Sequence, residues 1–79
     1  MPDQPSVVLD RARQDAMLSV SALWLRYFEQ GGMGTALELE AYLCGALRPD
    51  PHEYDVLANA LNERFDELGG DQSIPYSDD

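Results

Sequence analysis

The apolar residues of this chain recur at every third or fourth position, and two glycine pairs interrupt the pattern. Spacings of three and four place side chains on one face of an α-helix, which turns once in about 3.6 residues. Gly31-Gly32 and Gly69-Gly70 each follow such an apolar segment, and glycine commonly ends a helix. The alternation typical of a strand never extends over four residues outside these segments. The pattern therefore predicts an all-α protein.

The first apolar segment predicts one long N-terminal helix over residues 7–30. It follows a leader, residues 1–5, whose two prolines disfavour helix, and Ser6 is placed to cap its start. Helical spacing puts nine apolar residues on the core-facing side of this helix. These residues are Leu9, Ala12, Ala16, Met17, Val20, Leu23, Trp24, Tyr27 and Phe28.

Capping signals place the start of a second helix, over residues 36–47. Thr35 and Glu38 match the capping box, in which each side chain accepts a hydrogen bond from the other residue's backbone N–H. Gly45, near the end of this helix, costs about 1 kcal/mol of helix propensity relative to alanine. It therefore marks either a close crossing of two backbones or an early end of the helix.

A third helix is predicted over residues 51–68. Asp50 suits the N-cap, Pro51 suits the first helical position, and Glu53 completes a second capping-box pattern. The apolar stripe of this helix consists of Tyr54, Leu57, Leu61, Phe65 and Leu68.

These elements predict a small three-helix bundle over residues 6–69, followed by a mobile acidic tail over residues 70–79. In domains this short, hydrophobic burial exceeds chain entropy by only about 3–5 kcal/mol. The single cysteine excludes an internal disulfide that could add stability. Contact with another chain is one way to bury more apolar surface.

A second apolar stripe on the N-terminal helix offers a surface for such contact. Leu18, Ala22 and Leu25 are spaced i, i+4 and i+7, on the side opposite the main stripe. An apolar stripe on a helix that already buries another face predicts contact with a partner protein or a second copy in a homodimer. The alternative is that the other helices or the tail cover it.

Negative charge is concentrated in the C-terminal half of the chain. The formal net charge is −10, and residues 36–79 carry eleven acidic side chains against two arginines. Polar and acidic residues follow one side of the third predicted helix: Asp55, Asn59, Asn62, Glu63, Asp66 and Glu67. This surface is expected to attract and accelerate the docking of a basic protein surface. The alternative is a solvated face that serves only solubility.

Composition argues against several classes of function. A chain with no lysine and a net charge of −10 is unsuited to direct nucleic-acid binding, because phosphate contacts need clustered positive charge. One histidine, His52, and one cysteine, Cys44, are too few for the common zinc sites, so neither a metal nor a cofactor is expected. Cys44 is expected to be a buried thiol and His52 to be exposed. No catalytic constellation is found, which predicts that the chain is not an enzyme.

The sequence also predicts where the protein acts. No apolar segment reaches the ~20 residues of a membrane span, and no signal-peptide pattern opens the chain. Both observations favour a cytoplasmic protein that does not bind membranes.

Three segments resemble short, functionally unassigned acidic helical proteins of actinobacterial type. These segments lie at residues 23–28, 37–43 and 61–65, so the resemblance covers a little over half of the chain, residues 23–68. The absence of lysine, with alanine, leucine, aspartate and arginine abundant, is similar to proteins from high-GC genomes. The resemblance implies a lineage and a cytosolic regulatory setting, and it transfers no site residues.

Two functions from different classes follow. The first is a non-enzymatic interaction module, a small regulator or adaptor that docks on a basic surface of a larger signalling or transcription protein. The alternative is an acidic nucleic-acid mimic that inhibits a DNA- or RNA-binding protein. Salt separates the two, because purely electrostatic binding weakens far more with ionic strength than hydrophobically anchored binding. A small-ligand carrier would need a cavity among Trp24, Tyr27, Phe28 and Tyr42.

Overall fold

A computed structural model describes residues 4–77 as a single all-α unit, as the periodicity predicts. The helices are α1 (Pro5–Asp15), α2 (Val20–Glu29), α3 (Ala36–Cys44) and α4 (Pro51–Glu67). Both α1 and α2 pack against α3 and against α4. The accessible surface is 4896 Å², close to the ~4,800 Å² expected of a folded monomer of this mass.

The predicted single N-terminal helix is wrong, because an elbow at residues 16–19 divides it into α1 and α2. Met17 takes the left-handed conformation with φ of 59°. The next N–H, from Leu18, donates to the carbonyl of Arg13 at 3.1 Å. This arrangement is a Schellman motif, which usually has glycine at the left-handed position. Because a methionine stands there, the sequence lacks the glycine signal that marks the other helix ends.

Several hydrogen bonds stabilise the elbow. Ser19 caps α2 by accepting a hydrogen bond from the N–H of Ala22 at 3.0 Å. Arg64, on α4, donates from Nε to the carbonyl of Ala16 at 3.1 Å, which satisfies an acceptor at the end of α1. Leu18 turns into the core and is only 8% exposed.

The core lies where all four helices meet. Its largest fully buried side chains are Leu9, Leu23, Tyr27, Leu39, Leu57 and Leu61. Two residues of the predicted N-terminal stripe are instead exposed, Met17 at 70% and Phe28 at 58%. Met17 is exposed because it lies in the elbow itself, and Phe28 is exposed because the buried face of α2 is centred on Leu23 and Tyr27.

The start of α1 also differs from the prediction. Pro5 is the first helical residue, and Gln4 is the N-cap without a side-chain hydrogen bond, so Ser6 is not the cap. Proline suits this position because its missing N–H would be unpaired there in any residue.

The second predicted helix is confirmed at its start and is shorter at its end. Thr35 and Glu38 form both hydrogen bonds of the capping box, at 3.1 and 2.9 Å. The helix ends before Gly45, whose φ is 87°, and a Cβ there would lie 3.3 Å from Oγ of Ser6. The structure therefore confirms the early end of the helix, and the atoms nearest to Gly45 belong to the side chain of Ser6 rather than to a crossing backbone. Cys44 is exposed rather than buried, because Tyr42 and Leu43 occupy the core-facing positions of α3.

At the start of α4, the cap is confirmed and the second capping box is wrong. Asp50 accepts a hydrogen bond from the N–H of Glu53 at 2.8 Å, and Pro51 is the first helical residue. The Glu53 carboxylate does not return to the N-cap backbone. It turns inward and accepts a hydrogen bond from the hydroxyl of Tyr27 at 2.6 Å.

Residues 70–79 are predicted to be a mobile acidic tail. The described part, up to residue 77, instead returns along α1 and α4, and Ile74 is buried at 9% exposure. Burial of the apolar Ile74 side chain stabilises the packing of this stretch, although most of its other residues are polar. Residues 78–79, like the leader residues 1–3, lie outside the described residues.

Candidate protein-interaction surfaces

The predicted apolar stripe does not form a continuous surface. Leu18 is buried in the core by the elbow, Ala22 is half-buried, and Leu25 is 54% exposed. The expectation that all three contact another chain therefore fails for Leu18. It remains open for Ala22 and Leu25, which follow the elbow on α2.

Ala22 and Leu25 line a groove between α2 and α4, which we call the α2–α4 groove. Its volume is about 450 Å³. The charged and polar residues that complete it are Arg26, Glu29, Gln30, Glu63 and Glu67. The groove thus combines part of the predicted apolar stripe with part of the predicted acidic face, although the two sets are distant in the sequence.

Ion pairing neutralises one side of the α2–α4 groove. Arg26 donates two hydrogen bonds to the carboxylate of Glu67, both at 2.8 Å. These bonds, partly opposed by desolvation, hold the pKa of Glu67 below its ordinary value of 4.5. Arg64 lies 3.5 Å from the same carboxylate. The Glu67 carboxylate is therefore already paired with arginines of the same chain.

The other acids of the groove carry its negative charge outward. Glu29 is exposed, and its carboxylate has no hydrogen bond or ion pair among residues 4–77. The carboxylate of Glu63 accepts a hydrogen bond from the neutral amide of Gln30 and has no ion pair among residues 4–77, although Arg26 attracts both Glu29 and Glu63 electrostatically. The sequence prediction included Glu63 and missed Glu29, because Glu29 lies on a different helix.

An exposed apolar surface borders the groove on α2. Phe28, which was predicted to face the core, stacks on Trp24 with ring centroids 5.2 Å apart and remains 58% exposed. Trp24 is fixed by donating from Nε1 to the carbonyl of Gly34 at 3.1 Å. Leu25 lies one turn before Phe28, so the two exposed side chains are neighbours on one face of the helix.

The face of α4 next to the groove is covered by residues 72–77, which we call the C-terminal segment. Asn62, Asn59 and Asp55, all predicted to contact a partner, contact this segment instead. The spacing correctly placed them on one face of the helix. It could not show that a later part of the same chain covers that face. Asp66, in the same row, is exposed, and its carboxylate has no hydrogen bond or ion pair within residues 4–77.

A buried polar cluster lies where α2 meets the start of α4. The hydroxyl of Tyr27 donates to Glu53 and accepts from the N–H of Gly34, each at 2.6 Å. Burial, reinforced by Glu53, raises the pKa of Tyr27 above its ordinary value of 10.0. At Gly32, a Cβ would approach the Tyr27 ring to 2.3 Å, so only glycine fits there. Because Tyr27 is fully buried, this cluster is a structural contact inaccessible to a substrate.

Other classes of site find little support in the structure. Within residues 4–77, no three histidine, cysteine, aspartate or glutamate side chains are arranged to hold a metal ion. His52 is exposed in the first turn of α4, as predicted. Tyr27 and Tyr42 are buried while Phe28 is exposed, so the aromatic residues do not enclose a common cavity. None of the helices described here is both long and apolar enough to cross a membrane.

Comparisons of this chain with protein-family models, with curated proteins and with solved structures found no match. The resemblance to acidic helical proteins of actinobacterial type stays a prediction.

Proposed function

We propose that this chain is a non-enzymatic protein-interaction module that docks on a basic surface of a larger partner, as a small regulator or adaptor in the cytoplasm. The observation that carries the proposal is the α2–α4 groove, where exposed apolar side chains lie beside two carboxylates that form no ion pair among residues 4–77. The combination supplies the two contributions that protein docking needs, burial and charge complementarity.

The apolar contribution comes from Leu25 and Phe28. They are 54% and 58% exposed, on adjacent turns of one helix. Burying a fully exposed leucine or phenylalanine side chain contributes about 1.5–3 kcal/mol, and burying the exposed part of Leu25 or Phe28 contributes roughly half of that. Trp24, held by its hydrogen bond to Gly34, provides a fixed aromatic surface beneath Phe28.

The electrostatic contribution comes from Glu29 and Glu63, whose charges face solvent across the groove. A chain with a net charge of −10 attracts a basic surface from solution and repels a second copy of itself. These charges favour a basic partner protein over the homodimer.

The nucleic-acid mimic is the less supported alternative. A mimic needs a continuous row of free carboxylates to replace phosphates. In this molecule Asp55 bonds to the C-terminal segment and Glu67 bonds to Arg26, which interrupts the row along α4.

The test compares partner capture by three forms of the full chain: wild type, Leu25→Glu and a matched control, Leu47→Glu. Leu47 is also an exposed leucine, at 41%, and it lies beside Gln4 and Pro5, outside the α2–α4 groove. Proteins captured from native cytosol are eluted in a salt gradient and compared among the three forms. We expect wild type and Leu47→Glu to retain the same basic proteins, and Leu25→Glu to lose them.

Two outcomes would contradict the proposal. Equal retention by all three forms would show that the groove is not the contact surface. Complete elution at low salt, without dependence on residue 25, would favour the nucleic-acid mimic.

A further inference from the structure

The C-terminal segment lies on α1 and α4 in the manner of a bound extended peptide. It contains no helix and runs back along α4 toward the start of that helix. Its residues alternate: Ile74 is buried and Tyr76 is half-buried, while Ser73 and Pro75 are exposed. Such alternation is typical of an extended strand that presents every second side chain to a surface.

Asn62 recognises the backbone of this segment. Its Oδ1 accepts a hydrogen bond from the N–H of Ile74 at 2.8 Å, and its Nδ2 donates to the carbonyl of Ile74 at 3.0 Å. A primary amide that pairs with both polar groups of one residue replaces the partner strand of a sheet. These two bonds are independent of the side chain at position 74.

Other contacts recognise side chains. Ile74 packs into the core, and the hydroxyl of Tyr76 donates to Oδ1 of Asn59 at 3.2 Å. Ser77 donates from both its backbone N–H and its hydroxyl to the carboxylate of Asp55, at 2.7 and 2.9 Å. Recognition thus combines backbone bonds with an apolar side chain, a phenol and a hydroxyl.

We propose that this face of α4 is a binding site for an extended protein segment, and that the C-terminal segment occupies it intramolecularly. The ligand class is a segment of another protein that carries the same pattern: a branched apolar residue, a tyrosine two positions later, and then a serine. The chemistry of the present occupant defines this pattern. The site adjoins the α2–α4 groove, because Asn59, which accepts from Tyr76, also donates from Nδ2 to Oε1 of the groove residue Gln30.

Tethering determines how such a site is used. A covalently attached segment acts at an effective concentration in the millimolar range, so it excludes a weakly binding free peptide. A partner segment binds when the tethered segment is weakened or when the partner is itself held nearby, for example by the α2–α4 groove. The C-terminal segment therefore sets the minimum affinity or local concentration that a partner segment needs to occupy the site.

The test uses the full chain and a free peptide with the sequence of residues 71–77, capped at both ends. Ile74→Ser in the protein removes the apolar anchor of the tethered segment, and we expect the four helices to remain folded, because residue 74 lies outside them. We expect this variant to bind the peptide about tenfold more tightly than wild type in calorimetric titrations, because its internal competitor is weaker. Adding Asn62→Ala should abolish the gain, whereas adding Asp66→Asn, a matched change outside the site, should preserve it.

Three results would overturn the proposal. Equal peptide affinity for wild type and Ile74→Ser, including no measurable binding to either, would show that the segment does not compete for a site. Unchanged affinity after Asn62→Ala would show that the peptide binds elsewhere. Loss of the cooperative thermal transition in Ile74→Ser would make the segment an integral part of the core rather than a ligand.

Discussion

Two neighbouring faces of α4 carry similar residues, and the rest of the chain covers one of them and leaves the other open. On one side Asp55, Asn59 and Asn62 hold the C-terminal segment, and on the other Glu63 faces an open groove beside α2. Residue type and helical spacing describe both sides equally well. The difference shows that an acidic helix face becomes available to a partner only where the rest of the chain leaves it uncovered.

The glycine that ends α4 explains why one face of this helix is covered. Gly69, with φ of 74°, ends α4, and the N–H of Gly70 donates back to the carbonyl of Phe65 at 3.3 Å. The chain then reverses, so residues 72–77 follow the helix that they have just left. Within residues 4–77, no comparable reversal brings another segment over the α2–α4 groove.

The largest effect is expected at the most enclosed carboxylate of α4, Glu53. Tyr27→Phe removes the hydroxyl that donates to Glu53 and accepts from Gly34. A buried carboxylate and a backbone N–H would then lack partners, which we expect to lower the free energy of unfolding by about 2–3 kcal/mol. Urea denaturation measures the change. Tyr54→Phe, at a half-buried tyrosine with no hydroxyl hydrogen bond in the described structure, should change it by less than about 0.5 kcal/mol.

The alkaline response checks the same contact. Folding raises the pKa of Tyr27, chiefly by burial and then by the hydrogen bond to Glu53. Its contribution to stability is complete below the ordinary pKa of 10.0 and is lost as the pH rises above that value. Tyr27→Phe should therefore lose less stability than wild type on alkaline titration. An equal loss in both would show that the phenol is not held in its protonated form by the fold.

An intermediate effect is expected on the covered side. Asn62→Ala removes both hydrogen bonds to the backbone of Ile74. We expect unfolding free energy to fall by about 1–2 kcal/mol, with the contribution of the docked segment as the upper limit. Hydrogen exchange at the amide of Ile74 should accelerate, while exchange in the centre of α2 should follow only the change in global stability. Unchanged protection at Ile74 would contradict the docking described here.

The smallest effect on stability is expected on the open side. The double variant Glu29→Gln, Glu63→Gln keeps side-chain size and removes two negative charges that form no ion pair among residues 4–77. The free energy of unfolding should therefore change by less than about 0.5 kcal/mol. The same change should slow association with a basic partner, most clearly at low salt. Thermal melts and stopped-flow association rates measure the two quantities. A large loss of stability with unchanged association would reverse the comparison between the two sides.

Much of this fold could be predicted from local sequence. Thr35 with Glu38 and Asp50 with Pro51 start helices as their chemistry requires, and the leucine spacing identifies most of the core. These features depend on residues within one or two helical turns. Local rules therefore suffice for them.

The elbow and the coverage of α4 could not be predicted in the same way. Met17 occupies a left-handed position that favours glycine, at a cost of about 1–2 kcal/mol which tertiary contacts offset. The one local signal was Ser19, a good N-cap in the middle of the predicted helix. The fate of Asn62 depended on Ile74, twelve residues away and outside any periodic pattern.

The hydrogen bond from Arg64 to the carbonyl of Ala16 has a consequence for the elbow. It joins residues 48 positions apart, whereas the other bonds of the elbow are local. The carbonyl of Ala16 therefore exchanges water for a protein donor only when α1 and α4 come together. The elbow between α1 and α2 is thus linked to the docking of a helix that is distant in the sequence.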